Sequence, residues 1–218
     1  FVNFALTSAL WTICNGLVSV YADGPSGIVW ARLAFFAASL LPLWLFRFVA
    51  AFPTAEPRVS SRVQSTITFC AAAACAASLT PLIARETASV DHALKMSYGP
   101  IYPFFGVYLI VSVAGSLILL TRKLRLHSGV ERVELQLILL CIGIAAIGAS
   151  TTNLIVPLVF ATSRLNVYGP IFGLLVVAAF AHAIIRYRLL DVQLVVRRSI
   201  TQVAASLIAG ARFLGVVE

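Results

Sequence analysis

Apolar residues run along this chain in stretches of about twenty, broken by short polar turns. A bilayer core about 30 Å thick takes about 20 apolar residues in a helix. On that measure the pattern predicts helices over 1–20, 27–49, 63–84, 101–121, 134–160 and 167–186. The breaks carry turn chemistry: Asp23-Gly24-Pro25, Pro53 with Pro57, Gly99-Pro100, Ser128-Gly129, and Asn166 through Pro170. Strands of a membrane barrel would alternate apolar and polar positions over about ten residues, and these runs do not. Backbone groups in lipid must bond within their own segment, so the expected fold class is all-α, a polytopic transmembrane bundle of six spans. The run from Ser199 to Val217 is different. It carries Arg212, Thr201, Gln202 and Ser206, while Ile200, Val203, Leu207 and Leu214 fall near one helical stripe. It reads as an amphipathic helix or coiled-coil start at least as well as a span. The chain therefore divides into a bundle over 1–186 and a connector with a C-terminal helix over 187–218.

Composition makes the membrane reading firm. Of 218 residues, 61% are hydrophobic and 11% charged, with a mean hydropathy of +0.99. Soluble domains carry about 45–50% apolar and about 25% charged residues, and disorder needs low hydrophobicity. Both are excluded. The four cysteines, Cys14, Cys70, Cys75 and Cys141, all lie inside apolar runs and read as small packing residues.

The net charge of +8 changes the picture through its distribution. Arg47, Arg58, Arg62, Arg122, Lys123, Arg125, Arg132, Arg186, Arg188, Arg197 and Arg198 fall on one set of connections. Arg32, Arg85, Lys95 and Arg164 fall on the other. Cation excess marks the cytoplasmic side, so the charge speaks for membrane orientation, not for nucleic acid. The Phe1 end is then cytoplasmic. A native N-terminus outside would require one further span before Phe1, making seven.

Most membrane chemistry is excluded by residue type. Both lysines, Lys95 and Lys123, fall in connections, so no span offers a Schiff-base lysine. One histidine, His182, lies in a span, against the two facing histidines a b-type haem needs. Every acid lies at a helix end or in a connection, which disfavours an ion-coupled carrier. No metal-binding, nucleophile-elbow or phosphate-loop motif occurs, and neither cofactor nor metal is expected. The polar residues left within spans are Asn15, Arg32, Thr151, Thr152, Asn153 and His182. Arg32 either snorkels to the surface or meets an anion or internal polar group. Ser150 through Asn153, ahead of Pro157, either hydrogen-bonds between helices or lines a polar pocket. His182 is either a packing residue or a ligand. The Ala-rich stretch from Cys70 to Ser78 reads as a face for close helix packing.

Two further patterns stand out. Tyr98-Gly99-Pro100-Ile101-Tyr102 and Tyr168-Gly169-Pro170-Ile171-Phe172 each open a helix. This is either repeated use of a good helix start or a duplicated helix pair. After 186, apolar residues continue past Arg186 and Arg188 through Asp191. Such a segment either stops the chain at the membrane surface or carries a signal onward, with Arg186, Arg188 and Asp191 as its junction.

Tyr98 through Phe104, Glu131 through Gln136, Thr152 through Pro157, Tyr168-Gly169-Pro170 and Ala183 through Asp191 together resemble the seven-helix N-terminal sensor region of bacterial histidine kinases and related signalling proteins, which implies a bacterial inner membrane. Trp30 through Phe35 and Phe52-Pro53 fit the same pattern less specifically. The resemblance covers about 1–198 and implies seven spans, an outside N-terminus and a cytoplasmic output module. No phosphoacceptor or nucleotide-binding box occurs in these residues, so this chain is read as a non-catalytic sensor and transmitter. Its expected partners are the bilayer and a second copy through the signalling region, or other membrane subunits. The alternative is a structural subunit of a larger energy-transducing or pigment complex.

Overall fold

The computed structural model describes residues 1–52, 59–90, 93–160, 165 and 168–187. Helices α1 (Val2–Val20), α2 (Pro25–Ala51) and α3 (Ser61–Ser78) come first. A hairpin follows, β1 (Ala84–Val90) and β2 (Ala93–Tyr98). Then come α4 (Tyr102–Leu126), α5 (Gly129–Ser150), a π-helical segment (Thr151–Ile155), α6 (Val156–Phe160) and α7 (Gly169–Tyr187). Local chemistry sets the starts. Pro25 opens α2 behind Gly24, where its missing N–H has no partner to lose. Ser60 caps α3 by accepting from the Val63 amide at 3.4 Å.

The expected helix over 63–84 ends early, at Ser78. Pro81 disfavours helical backbone at Thr80, and the Thr80 amide and hydroxyl both turn back onto the Ala77 carbonyl, at 3.1 and 2.7 Å. The segment beyond, expected as a plain connection, is an antiparallel hairpin with an irregularity between Ala84 and Glu86. The fold is therefore mostly helical with one two-stranded element, not purely α. A lone hairpin is marginal in water, and this one is fastened along β1 and at its base. The Thr87 hydroxyl donates to the Ala22 carbonyl at 3.1 Å. The Gly99 amide donates to Ile83 at 2.8 Å and that of Ile101 to Leu82 at 3.0 Å. Glycine is required at 99, because a Cβ there would run into the backbone of Pro81 and Leu82. Lys95 thus lies in a strand, and Lys123 lies within α4, which runs on to Leu126.

Contacts fix the helix directions. Ser39 near the middle of α2 meets Ser78 at the end of α3, and Arg47 further along α2 meets Thr68 earlier in α3, so α2 and α3 are antiparallel. Tyr102 meets Asn153, so α4 opposes α5, and the aromatic pair Phe4–Phe180 with the Gly173–Trp11 approach makes α7 oppose α1. The alternation is that of a multi-pass bundle, with the hairpin at one end. Arg47, Arg62, Arg122, Lys123, Arg125 and Arg132 belong to the other end.

Helices α1, α2, α4 and the stretch Leu135–Ile155 are long and apolar enough to cross a membrane, while the apolar part of α7, Gly169–His182, is shorter. Phe69, Phe104 and Ile147 are each more than 70% exposed. Such large rings and branched chains suit lipid, since monomeric soluble proteins rarely expose contiguous apolar patches of this extent. By internal contacts the chain forms two units, Phe1–Phe180 and Ala181–Glu218. Of the second, the last turns of α7 are described. The run 199–217 and most of the segment 187–218 lie outside the described residues.

Candidate functional site

Helix α4 carries three side chains that donate to neighbouring backbone. Pro157 has no N–H to offer the Asn153 carbonyl four residues back, and the Tyr102 hydroxyl donates to that carbonyl at 2.8 Å. Pro42, inside α2, removes the amide that would meet the Ala38 carbonyl in that helix, and the Tyr108 hydroxyl donates to the adjacent Ser39 carbonyl at 2.8 Å. Lys123 is 0% exposed. Its ammonium donates to the Ala50 and Phe52 carbonyls at 2.9 and 2.7 Å, at the C-terminus of α2 where the helix dipole favours a cation. Tyr102 also stacks on Tyr98 at 4.0 Å, and Phe35 meets Tyr98, Tyr102 and Phe105 edge-on. The hairpin, α2, α4 and the π segment are thereby tied together.

Helix α7 is seated differently. A Cβ on Gly169 would collide with the Asn153 carboxamide. One on Gly148 would meet the Phe172 ring, and one on Gly173 would stand 3.0 Å from the Ser8 hydroxyl and 3.6 Å from the Trp11 ring. Further along, Phe180 stacks on Phe48 at 4.0 Å and tilts against Phe4 at 5.6 Å. Small residues let helices come close without hydrogen bonds.

Between these parts lies a cleft of about 170 Å³. Its walls come from α1, α2, α4, α5, the π segment and α7, with Met96 from the hairpin. Trp11, Asn15, Phe35, Ser150, Asn153 and Phe172 are among the residues lining it, and none of the lining residues is charged. The Asn15 amide donates to the Trp11 carbonyl at 2.8 Å. The Asn153 amide donates to Ala149 at 3.0 Å and to the Thr152 hydroxyl at 2.9 Å. Both carboxamides thus spend N–H groups on their own helix and keep their oxygens.

The sequence-predicted residues separate on this geometry. Asn15 and Asn153 reach one cleft. Thr152 supports it from behind, its hydroxyl donating to the Gly148 carbonyl at 3.0 Å. Arg32 does not line the cleft. It is half-buried, and among the described residues its Nε is a sealed polar atom without a hydrogen-bond partner. His182 is exposed on α7 and also outside the cleft. Arg186 belongs to the last turn of α7, whereas Arg188 and Asp191 lie outside the described residues. Among the described residues, no group of three or more His, Cys, Asp and Glu is placed to hold a metal ion. The small-residue face of α3 does pack: Ala71, Ala74, Cys75 and Ser78 are buried, with Ser39 and Ser78 hydroxyls 3.2 Å apart.

Tyr102, Tyr108, Lys123, Gly148 and Gly173 were not legible as a set. The signal was present for one of them, since a proline inside a span leaves a carbonyl four residues back that needs a donor from elsewhere.

No curated protein and no solved structure matches the chain significantly. Residues 1–193 match the family described as the N-terminal 7TM region of histidine kinase. A mostly helical, multi-pass bundle matched over almost its whole described length leaves one conclusion: the chain belongs to the family of N-terminal seven-transmembrane sensor regions of histidine kinases.

Proposed function

We propose that the cleft is where this sensor receives its stimulus and that α7 carries the response out of the bundle. The observation that carries the reading is the shared wall. Phe172, Gly173 and Val176 of α7 line the same cleft as Asn15 of α1 and Asn153 of the π segment. An occupant that fits one seating of α7 better than another shifts the population toward it. The end of α7 and the chain after it then pass the shift through Arg186, Arg188 and Asp191 to the output module, which dimerises in the parent kinase. The 218 residues themselves act without catalysis.

The membrane arrangement in this reading has six spans, α3 and α7 included, with the hairpin outside. Support comes from the gathering of cations at the end opposite the hairpin, as expected for a bacterial cytoplasmic membrane. A cysteine at Ser128, in a background lacking the native thiols, should label from the cytoplasmic side. Labelling from outside intact cells would reverse the orientation.

The sensing role is tested by filling the cleft. Ala146→Phe in the full-length kinase, in membrane vesicles, should change autophosphorylation by about fivefold or more, the range of ordinary allosteric couplings. An unchanged rate at matched protein level would remove the cleft from the mechanism.

A further inference from the structure

The cleft's polar groups specify the chemistry of what fills it. We infer that the ligand is a small neutral alcohol, an apolar body whose single hydroxyl proton is shared by the Asn15 and Asn153 carboxamide oxygens. This rests on the cleft being the sensing site.

The N–H groups of the two asparagines are committed. Asn15 Nδ2 bonds Trp11, and Asn153 Nδ2 bonds Ala149 and Thr152. Among the described residues neither Oδ1 receives a hydrogen bond, and neither is sealed from access, unlike Arg32 Nε. The site therefore offers acceptors and asks for a donor. Ser150, also in the lining, has no hydrogen bond to another described residue, and its hydroxyl adds a group able to meet the ligand's oxygen. A carboxylate or phosphate head brings only acceptors, and none of the lining residues carries a charge to pair with it. An ammonium donates but equally finds no carboxylate. An unpaired ion in apolar surroundings costs far more than a neutral hydroxyl. Size follows from the volume. An apolar cavity of about 150 Å³ holds benzene, so about 170 Å³ takes roughly six to nine heavy atoms, a medium-length alcohol.

The probe is 1-octanol, compared with octanoate and octylamine. Binding is read from the fluorescence of Trp11 in full-length protein in which every other tryptophan, Trp30 and Trp44 included, is replaced by Phe, in lipid vesicles at equal membrane concentrations of each probe. The expected result is a saturable response to 1-octanol with at least about tenfold tighter binding than either ionised probe. Asn15→Leu and Asn153→Leu should each weaken it, and the double variant should weaken it about fivefold, the net value of one hydrogen bond. Asn15→Asp should move the preference toward octylamine, and this variant keeps the test open if the leucine variants do not fold. Equal binding of all three probes, or octanol binding unchanged by the asparagine variants, would overturn the alcohol assignment. If Ala146→Phe still alters kinase output, the sensing cleft survives that failure. If it does not, both readings fall. A hydroxyl on a free alcohol and one on a neutral diacyl lipid present the same donor. Octanol affinity should be unaffected by dioleoylglycerol in the vesicles, and competition would overturn the free alcohol as the ligand.

Discussion

Helices α4 and α7 meet their neighbours by different kinds of contact. From α4, Tyr102, Tyr108 and Lys123 each donate to a backbone carbonyl of the π segment or of α2, at 2.7–2.9 Å. From α7, Gly169, Phe172, Gly173 and Phe180 meet α1, α2, α5 and the π segment by packing alone. Among the described residues α7 makes no side-chain hydrogen bond to another helix. In lipid a hydrogen bond holds one register, because its alternative is an unpaired polar group. A packed face of glycine and phenylalanine can slide to a second seating with little loss. The comparison assigns a fixed frame to α2, α3 and α4 and a movable part to α7, with the cleft between them.

The largest expected effect on the frame is at Lys123. Lys123→Met keeps the bulk and leaves the Ala50 and Phe52 carbonyls without their donor. A lost charged hydrogen bond with buried acceptors costs about 3 kcal/mol, read as the unfolding free energy in detergent. Kinase output per folded protein should be unchanged. A stable variant with altered output would place Lys123 in the moving part instead.

Gly173→Val should invert the pattern. The added methyls press on Ser8 and Trp11, and overpacking of this kind costs about 1–2 kcal/mol. Output should change by about fivefold or more, the scale of allosteric coupling, since the seating of α7 is what the methyls disturb. A larger stability loss with unchanged output would make α7 part of the frame.

The two parts were unequally legible in the sequence. The helices were readable because each needs about twenty apolar residues, and Asp23-Gly24-Pro25 and Gly99-Pro100 marked their ends. The hairpin was not, because its strands are short and their stability comes from tertiary partners, Thr87 on Ala22 and Gly99 on Ile83. Pro81 carried a signal for the end of α3, but the expected helix over 63–84 ran past it. Of the cleft, Asn15 and Asn153 were recognisable as polar residues in apolar runs, and Gly169, which packs on Asn153, stood within the repeated Tyr-Gly-Pro opening. Both glycines of that repeat turn out to sit where a neighbour presses on the backbone. That Asn15 and Asn153 share one cleft depends on α1, α5 and α7 meeting, which no local pattern encodes. Lys123 looked like a loop cation because its burial depends on where α2 ends.

Spin-label distances in the cysteine-free, full-length protein in vesicles test the division most directly. One pair, at Leu6 and Leu174, spans α1 to α7; the other, at Val29 and Val107, spans α2 to α4, and all four positions are exposed. With the cleft filled by Ala146→Phe, the α1–α7 distance should shift by about 1–2 Å or more, the scale of helix movements in signalling transitions, while the α2–α4 distance stays in place. A fixed α1–α7 distance, or an equal shift in both pairs, would contradict a movable α7 on a fixed frame.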